Sequence, residues 1–359
     1  MTNDRQIPIL DIHGDHLQMG QQTGEAFAPQ IQQMLTTYRD LISTSYDRLK
    51  LNWDRVILQA RKYQPFVAEH TPQYLRELEG MSQGAGVTLD ELMVLNCMEG
   101  IVNDALHLKC TSFGAAGECT TDGHVLVAHN EDWSPEDENT VYLLRARPTS
   151  EPAYLALTYG GLLPNIGFNA SGLAQCCDSV YPDDSRIGVP RIFVARAVLA
   201  CRTLSDALSA AVMKKRAAGY NHLLAHESGE IYNIEASAKH FAVQYAADGT
   251  LAHTNHYLDP RLQAVESQPE ALLRSHVRYN RANRLLRTQT PHSYESFRRI
   301  LTDHVNQPRS ICCHDIDNPV AIERSKTIAS VVIDLTERCM HVAIGNPCES
   351  TFHRFELEN

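Results

Sequence analysis

Apolar residues recur at helical spacing through the first hundred positions and at strand-like spacing beyond them, so the chain changes texture near residue 110. After Gly20 and Gly24, the positions Ile31, Met34, Leu35, Tyr38, Leu41 and Ile42 give a helix one apolar face. Thr71-Pro72 opens another helix, with proline at its first position and Tyr74, Leu75, Leu78 and Met81 along one side. Gly80, Gly84 and Gly86 are expected to end it. A third helix starts at Thr88, where Thr88 and Glu91 fit a capping box ahead of Leu89, Leu92, Met93 and Leu95.

From Cys110 onward the pattern predicts short strands at 125–129, 142–147, 153–159, 165–168, 223–226, 230–235, 241–245 and 251–255. Late strands are expected at 330–335, 340–344 and 352–357. Asp122-Gly123, Ser228-Gly229 and Asp248-Gly249 read as hairpin connections. Helices are expected at 191–213, 270–286 and 293–304. Strand blocks interrupted by helix blocks, without regular βαβ repeats, point to α+β layers.

Composition narrows the functional classes. A chain of 359 residues with 43% hydrophobic content can bury one large core or two ordinary ones. A net charge of -11 argues against nucleic acid or an acidic membrane as partner, because phosphate binding needs clustered cations. The one basic run, Lys214-Lys215-Arg216, reads as a solvated helix end. The first residues, Met1 to Pro8, lack the basic and apolar regions of a secretory signal, and no apolar run is long enough to span a bilayer. The ten cysteines include the adjacent pairs Cys176-Cys177 and Cys312-Cys313, and are expected to be reduced thiols in a cytoplasm, mostly packed as small hydrophobes.

One cysteine stands apart. Cys110 opens a strand in Lys109-Cys110-Thr111-Ser112-Phe113, ahead of a second strand ending His129-Asn130-Glu131-Asp132-Trp133. A thiol with an ordinary pKa of about 8.5 is only a few per cent thiolate at neutral pH and needs a base. The α-amine of an N-terminal cysteine, with a pKa of about 7.7 to 8.0, can serve. That amine exists only once the Lys109–Cys110 peptide bond has been cut.

Three blocks carry a family resemblance: Gly14 to Glu25; Cys110 through Asn130-Glu131-Asp132-Trp133 to Asn165-Ile166-Gly167-Phe168-Asn169-Ala170-Ser171-Gly172; and a third formed by His253 to Tyr257, Ser310 to His314, Thr327 to Ser330 and Gly345 to Cys348. In order and spacing the chain resembles the isopenicillin-N acyltransferase family of self-processing cysteine N-terminal-nucleophile hydrolases. The resemblance implies a four-layer αββα fold with a helical pro-segment at 1–109 and a catalytic domain at 110–359. It implies cleavage before Cys110, which leaves a small and a large chain of one precursor, then amide hydrolysis or acyl transfer through a thioester. Cys110 takes the nucleophile position, Asp132 the acid that holds the freed amine, and Asn255 the oxyanion donor. His129, Asn165, Asn169 and Arg309 are further candidates for substrate or oxyanion contacts.

The chain departs from the family at three points. His129 stands where relatives often carry arginine, Cys313 stands where they usually have another arginine, and Lys109 replaces the common glycine before the nucleophile. The second departure means that the missing cation comes from Arg309, from Arg324 or from nowhere. A papain-like pairing of Cys110 with His253 is the rival reading, but it needs its cysteine at a helix start. Among the 17 histidines, His253 with His256, or Cys312 and Cys313 with His314, are the metal candidates; adjacent cysteines chelate one tetrahedral ion poorly, so no metal is expected. No cofactor is expected either. The expected partner is a small acyl amide, with an acyl-coenzyme A donor and a 6-aminopenicillanate-like amine, or an unprocessed binding scaffold, as alternatives.

Overall fold

The computed structural model describes residues 4–102, 109–317 and 324–357. The extreme termini and the last residues of the expected pro-segment before Lys109 lie outside them. Two sheets form the centre. The first runs, in spatial order, Ile9–Gly14, Val141–Pro148, Tyr154–Tyr159, Ile166–Asn169, Leu173–Ser179, Tyr220–His226, Ile231–Ala236 and Phe241–Tyr245. The second runs Thr250–His253, Lys109–Ala115, Leu126–Trp133, Ser325–Asp334, Cys339–Ile344 and His353–Glu356, with His314–Asp315 paired to Ser325–Asp334.

Helices cover both outer faces, giving the four αββα layers. Val198, Ala207 and Ala211, from helices Arg191–Leu199 and Leu204–Ala211, pack on Leu173, Leu224 and Ile234 of the first sheet. Ala282, Leu285, Phe297 and Ile300, from helices Leu273–Thr288 and Tyr294–Leu301, pack on Phe113, Leu126 and Val332 of the second. The inner strands Lys109–Ala115, Leu126–Trp133 and Leu173–Ser179 are buried at every position, as strands covered on both faces must be. Among the described residues no helix is long and apolar enough to cross a membrane.

The first hundred residues are helical apart from Ile9–Gly14, a strand that the periodicity does not predict. Of its six residues only Ile12 is buried, so it has little apolar signal of its own; parallel pairing with Val141–Pro148 holds it in place. The first helix is longer than expected, His16–Thr44, and Asp15 caps it in a box with Gln18. Gly80 and Gly84 do not end the second helix; Pro72–Ala85 continues to Gly86, which caps it at φ 67. Gly20 and Gly24 face Gly80 and Gly84 where the two helices cross. A Cβ on Gly20 would stand 1.9 Å from Glu77 O, and one on Gly80 would stand 2.0 Å from Leu17 O. The backbones therefore touch, which only glycine permits.

Beside this crossing lies a buried charge cluster. Arg196 Nη2 reaches Glu77 Oε2 at 3.3 Å and Glu151 Oε2 at 3.0 Å, with its guanidinium over the rings of Tyr74 and Tyr154. His16 Nδ1 adds a 2.8 Å contact to Glu77.

Three further expectations need correction. The helix expected over 191–213 is two helices; Thr203 caps the second by accepting from Asp206 N. Asp248-Gly249 joins no hairpin but carries the chain from the first sheet to the second. Arg216 is no solvated cation: it is buried and donates to the carbonyls of Val212, Met213, Ser237 and His240. The cysteines are free thiols, mostly buried, as expected.

Candidate active site

Cys110 is the second residue of its strand, paired with Glu131 as Ser112 is with His129. Side chains alternate across a strand, so Cys110, Ser112, His129 and Glu131 share the face turned toward the first sheet. Ser112 Oγ confirms this by donating to Asp178 Oδ1 there, at 2.9 Å. Lys109, Thr111 and Asp132 share the opposite face, toward the helix Leu273–Thr288. The peptide unit joining Lys109 to Cys110 thus has the sulfur on one side and a carboxylate on the other.

On the sulfur side, Cys110 Sγ lies 3.9 Å from Glu131 Oε2, which is 2.8 Å from His129 Nε2. His129 Nδ1 meets Ser112 Oγ at 2.9 Å, and Tyr159 donates to Glu131 Oε1 at 2.8 Å. Burial and the charges of Glu131, Asp178 and Asp132 push the Cys110 thiol well up, while the Ser179 backbone opposes them. Burial pulls His129 down, but the hydrogen bond and charge of Glu131 outweigh it and leave the imidazole raised. Cys110 is buried, 2% exposed, among polar side chains. Cys110, His129 and Glu131 also lie close enough to share an ion, though their mutual hydrogen bonds already account for that closeness.

On the backbone side, Cys110 N donates to Asn255 Oδ1 at 2.9 Å. Arg278 donates to the same Oδ1 at 2.6 Å, to Thr111 Oγ1 at 2.8 Å and to Cys110 O. Asn255 Nδ2 donates to Ser179 O at 3.0 Å. With two donors on Oδ1 and a carbonyl opposite Nδ2, the amide orientation is fixed. Asn255 therefore turns its acceptor toward Cys110, and its donor group is engaged elsewhere. Ser275 Oγ accepts from Asn255 N at 2.7 Å, so one helix places both Asn255 and Arg278.

Asp132 is fully buried. Thr327 donates to its Oδ1 at 2.6 Å, and its Oδ2 has no hydrogen-bond partner. Burial pushes its carboxyl up to about 7, against the pull of Arg278, Thr327 and Lys109. Lys109 is buried too; its Nζ donates to Ser325 Oγ at 2.9 Å and lies 3.4 Å from Asp315 Oδ2. Burial lowers that ammonium's pKa despite Cys313 and Asp315.

The remaining sequence candidates sit elsewhere. Asn169 donates to the carbonyls of Leu199 and Cys201 and accepts from Ser171 N and Leu173 N, so its amide is engaged in closing the end of the Arg191–Leu199 helix. Arg309 pairs with Asp315 at 3.1 Å, and Arg278 is the cation that reaches Cys110. Asn165 donates to Tyr220 OH at 3.0 Å and leaves Oδ1 unpartnered. His253 does not pair with Cys110: its ring nitrogens face Asp178 at 3.4 Å and Glu235 at 2.9 Å, and Cys110 starts a strand, which overturns the papain-like reading. Arg278, Glu131 and Asp178 were missed. Arg278 follows Ser275 by three residues on the buried stripe that continues to Ala282 and Leu285, a position where a lone arginine signals a buried partner.

A cysteine leading an internal strand, between two sheets flanked by helix layers, has the architecture of an N-terminal-nucleophile hydrolase. The chain belongs to the acyl-coenzyme A:6-aminopenicillanic acid acyl-transferase family, which it matches over residues 119–349. It is 25% identical to the acyl-coenzyme A:6-aminopenicillanic-acid-acyltransferase 40 kDa form of Emericella nidulans over 80% of this chain and 79% of that one. It is 26% identical to the beta-alanyl-dopamine/carcinine hydrolase of Drosophila melanogaster over 97% of this chain and 95% of that one. Among solved structures, the N-acylethanolamine-hydrolyzing acid amidase ortholog of Caenorhabditis elegans gives a TM-score of 0.47 at 16% identity, covering 63% of this chain and 93% of that one.

Proposed function

We propose that the chain is a precursor that cuts itself before Cys110, and that the freed Cys110 then hydrolyses small N-acylated amines through an acyl-thioester. The observation that carries this reading is the grip on the Lys109–Cys110 junction. Asn255 Oδ1 holds Cys110 N at 2.9 Å, with Glu131 beside the sulfur and the unpartnered Asp132 Oδ2 on the opposite face.

In the first step Cys110 Sγ attacks the Lys109 carbonyl carbon. The thiol is held protonated, so its proton must leave as the bond forms, and Glu131 Oε2, steadied by His129, is the nearest base. The C–N bond then breaks, the nitrogen takes up a proton and becomes the α-amine, and the Lys109 acyl group remains as a thioester. Water hydrolyses it, giving a Lys109 carboxylate and a free thiol. The new ammonium, no longer tied to Lys109, can turn toward Asp132 and offer a proton to the leaving amine of a substrate. The acyl group of that substrate occupies the same sulfur until water removes it.

The two relatives divide between transfer and hydrolysis. The hydrolase aligns over nearly the whole of both chains, and water needs no second binding site, so hydrolysis is the favoured outcome. Acyl transfer from an acyl-coenzyme A donor is the second reading. Intact-mass analysis tests the first step: the wild-type chain should give fragments 1–109 and 110–359, and Cys110→Ala should stay whole. Two fragments from the alanine variant would overturn the mechanism. Incubating the processed protein with N-acyl amines should then add one acyl mass to the large fragment.

A further inference from the structure

Away from Cys110, four metal-ligating side chains converge on one point. Cys312 Sγ lies 3.6 Å from Cys348 Sγ and 3.3 Å from His314 Nε2. Cys348 Sγ lies 3.5 Å from His314 Nε2, and His304 Nε2 lies 3.2 Å from His314 Nε2. All four ligand atoms fall within 4.8 Å of one another. A tetrahedral zinc with Zn–S of about 2.3 Å and Zn–N of about 2.0 to 2.1 Å requires ligand separations of about 3.8 Å for S–S, 3.5 Å for S–N and 3.3 Å for N–N. Four of the six edges, at 3.2 to 3.6 Å, match those values to within a few tenths of an ångström, and the two from His304 to the sulfurs lie within 4.8 Å.

We propose that His304, Cys312, His314 and Cys348 form a zinc site. Cys313, adjacent to Cys312, takes no part: its Sγ turns to Ser325 at 3.6 Å. That removes the objection that neighbouring cysteines cannot share an ion, because the second sulfur comes from Cys348 instead. Asn346 supplies a donor for the expected thiolate, with Nδ2 3.6 Å from Cys312 Sγ and 2.6 Å from Cys313 O. Binding converts two thiols to thiolates and releases two protons, with no change of oxidation state. Four protein ligands fill the tetrahedron, so the ion is structural and has no position left for substrate.

Its place in the fold gives it a task. It ties the loop after the Tyr294–Leu301 helix to the turn after the Cys339–Ile344 strand. Between these ties Cys313 N donates to Thr327 Oγ1 at 2.9 Å, and Thr327 donates to Asp132. The ion therefore braces the segment that orients Asp132, although the site stands whether or not the chain cuts itself.

Elemental analysis of the full chain expressed with zinc should find one zinc per chain. Cys348→Ala and His314→Ala should each lose it, and Cys201→Ala should keep it. As a check that does not depend on variants folding, wild-type protein exchanged into Co2+ should develop thiolate-to-cobalt charge-transfer absorption and tetrahedral visible bands. Zinc well below one per chain, with Cys312 and Cys348 titrating as free thiols, would overturn the proposal. So would a Cys312–Cys348 disulfide in the intact mass.

Discussion

Replacing Arg278 with methionine probes the junction most directly. The side chain keeps an unbranched apolar stem but loses the guanidinium and its three donations, to Cys110 O, Thr111 Oγ1 and Asn255 Oδ1. Hydrogen bonds to a charged group contribute about 1.5 to 3 kcal/mol each. Only the part that grows at the transition state affects rate. The donations to Thr111 and Cys110 O hold the strand in both states, whereas the one to Asn255 aims Oδ1 at the nitrogen that becomes the leaving amine. Losing about 2.7 kcal/mol there slows self-cleavage about a hundredfold, at roughly 1.36 kcal/mol per tenfold. Arg278→Lys restores the charge but cannot reach all three acceptors, so it should fall between the two. The rate is read as the fraction of fragment 110–359 formed over time after cell-free synthesis, with a cooperative melt confirming that each variant folds. Arg309→Met, whose partner is Asp315, should slow cleavage less. If Arg309→Met is slower than Arg278→Met, the assignment of the cation is wrong.

Asp132→Asn should slow acyl-amine hydrolysis by the processed protein and, in a Cys110→Ala background, stabilise the fold in a pH-dependent way. Burial raises the Asp132 carboxyl from an ordinary 3.8 to about 7, so the folded chain binds that proton more tightly than the unfolded chain does. Stability therefore falls as pH rises through that window, and the melting temperature of the asparagine variant should pull ahead between pH 4 and pH 7 and then level off; parallel curves would refute the shift. Gly80→Ala forces a Cβ to within 2.0 Å of Leu17 O, and overpacking of this kind costs about 1 to 3 kcal/mol, so the melting temperature should drop by several degrees. An unchanged melt would mean that the two helices separate without cost.

The sequence exposed the features whose signal is local. The Thr88–Glu91 capping box is present as read, with Glu91 N donating to Thr88 Oγ1 at 3.2 Å and Thr88 N to Glu91 Oε2 at 2.8 Å. The strand that leads to Asp132 shows as the apolar run Val125-Leu126-Val127-Ala128 after a turn, and Cys110-Thr111-Ser112-Phe113 reads as the opening of its neighbour. Features set by distant partners were not visible. Ile9–Gly14 becomes a strand only because Val141–Pro148 lies beside it. The glycines of the Pro72–Ala85 helix looked like a stop, because only the other helix shows that they make a contact. Arg278 was one of several arginines on a basic helix, and Asn255, 23 positions upstream of it, gives no hint of the pairing. Strand alternation alone puts Glu131 and Asp132 on opposite faces, but only the register that pairs Cys110 with Glu131 shows which of them stands at the sulfur.

The Arg196 cluster decides what becomes of the first 109 residues once the proposed cut is made. His16, Tyr74 and Glu77 come from the upstream piece, and Glu151, Tyr154 and Arg196 from the downstream piece. Pulling the pieces apart would strip Arg196 of one of its two carboxylates, Glu77, and of the Tyr74 ring, and breaking a buried pair costs about 3 to 5 kcal/mol. Once cut, the upstream piece is expected to stay bound as a subunit rather than leave as a disposable leader, and mixing two differently labelled preparations should yield no hybrids.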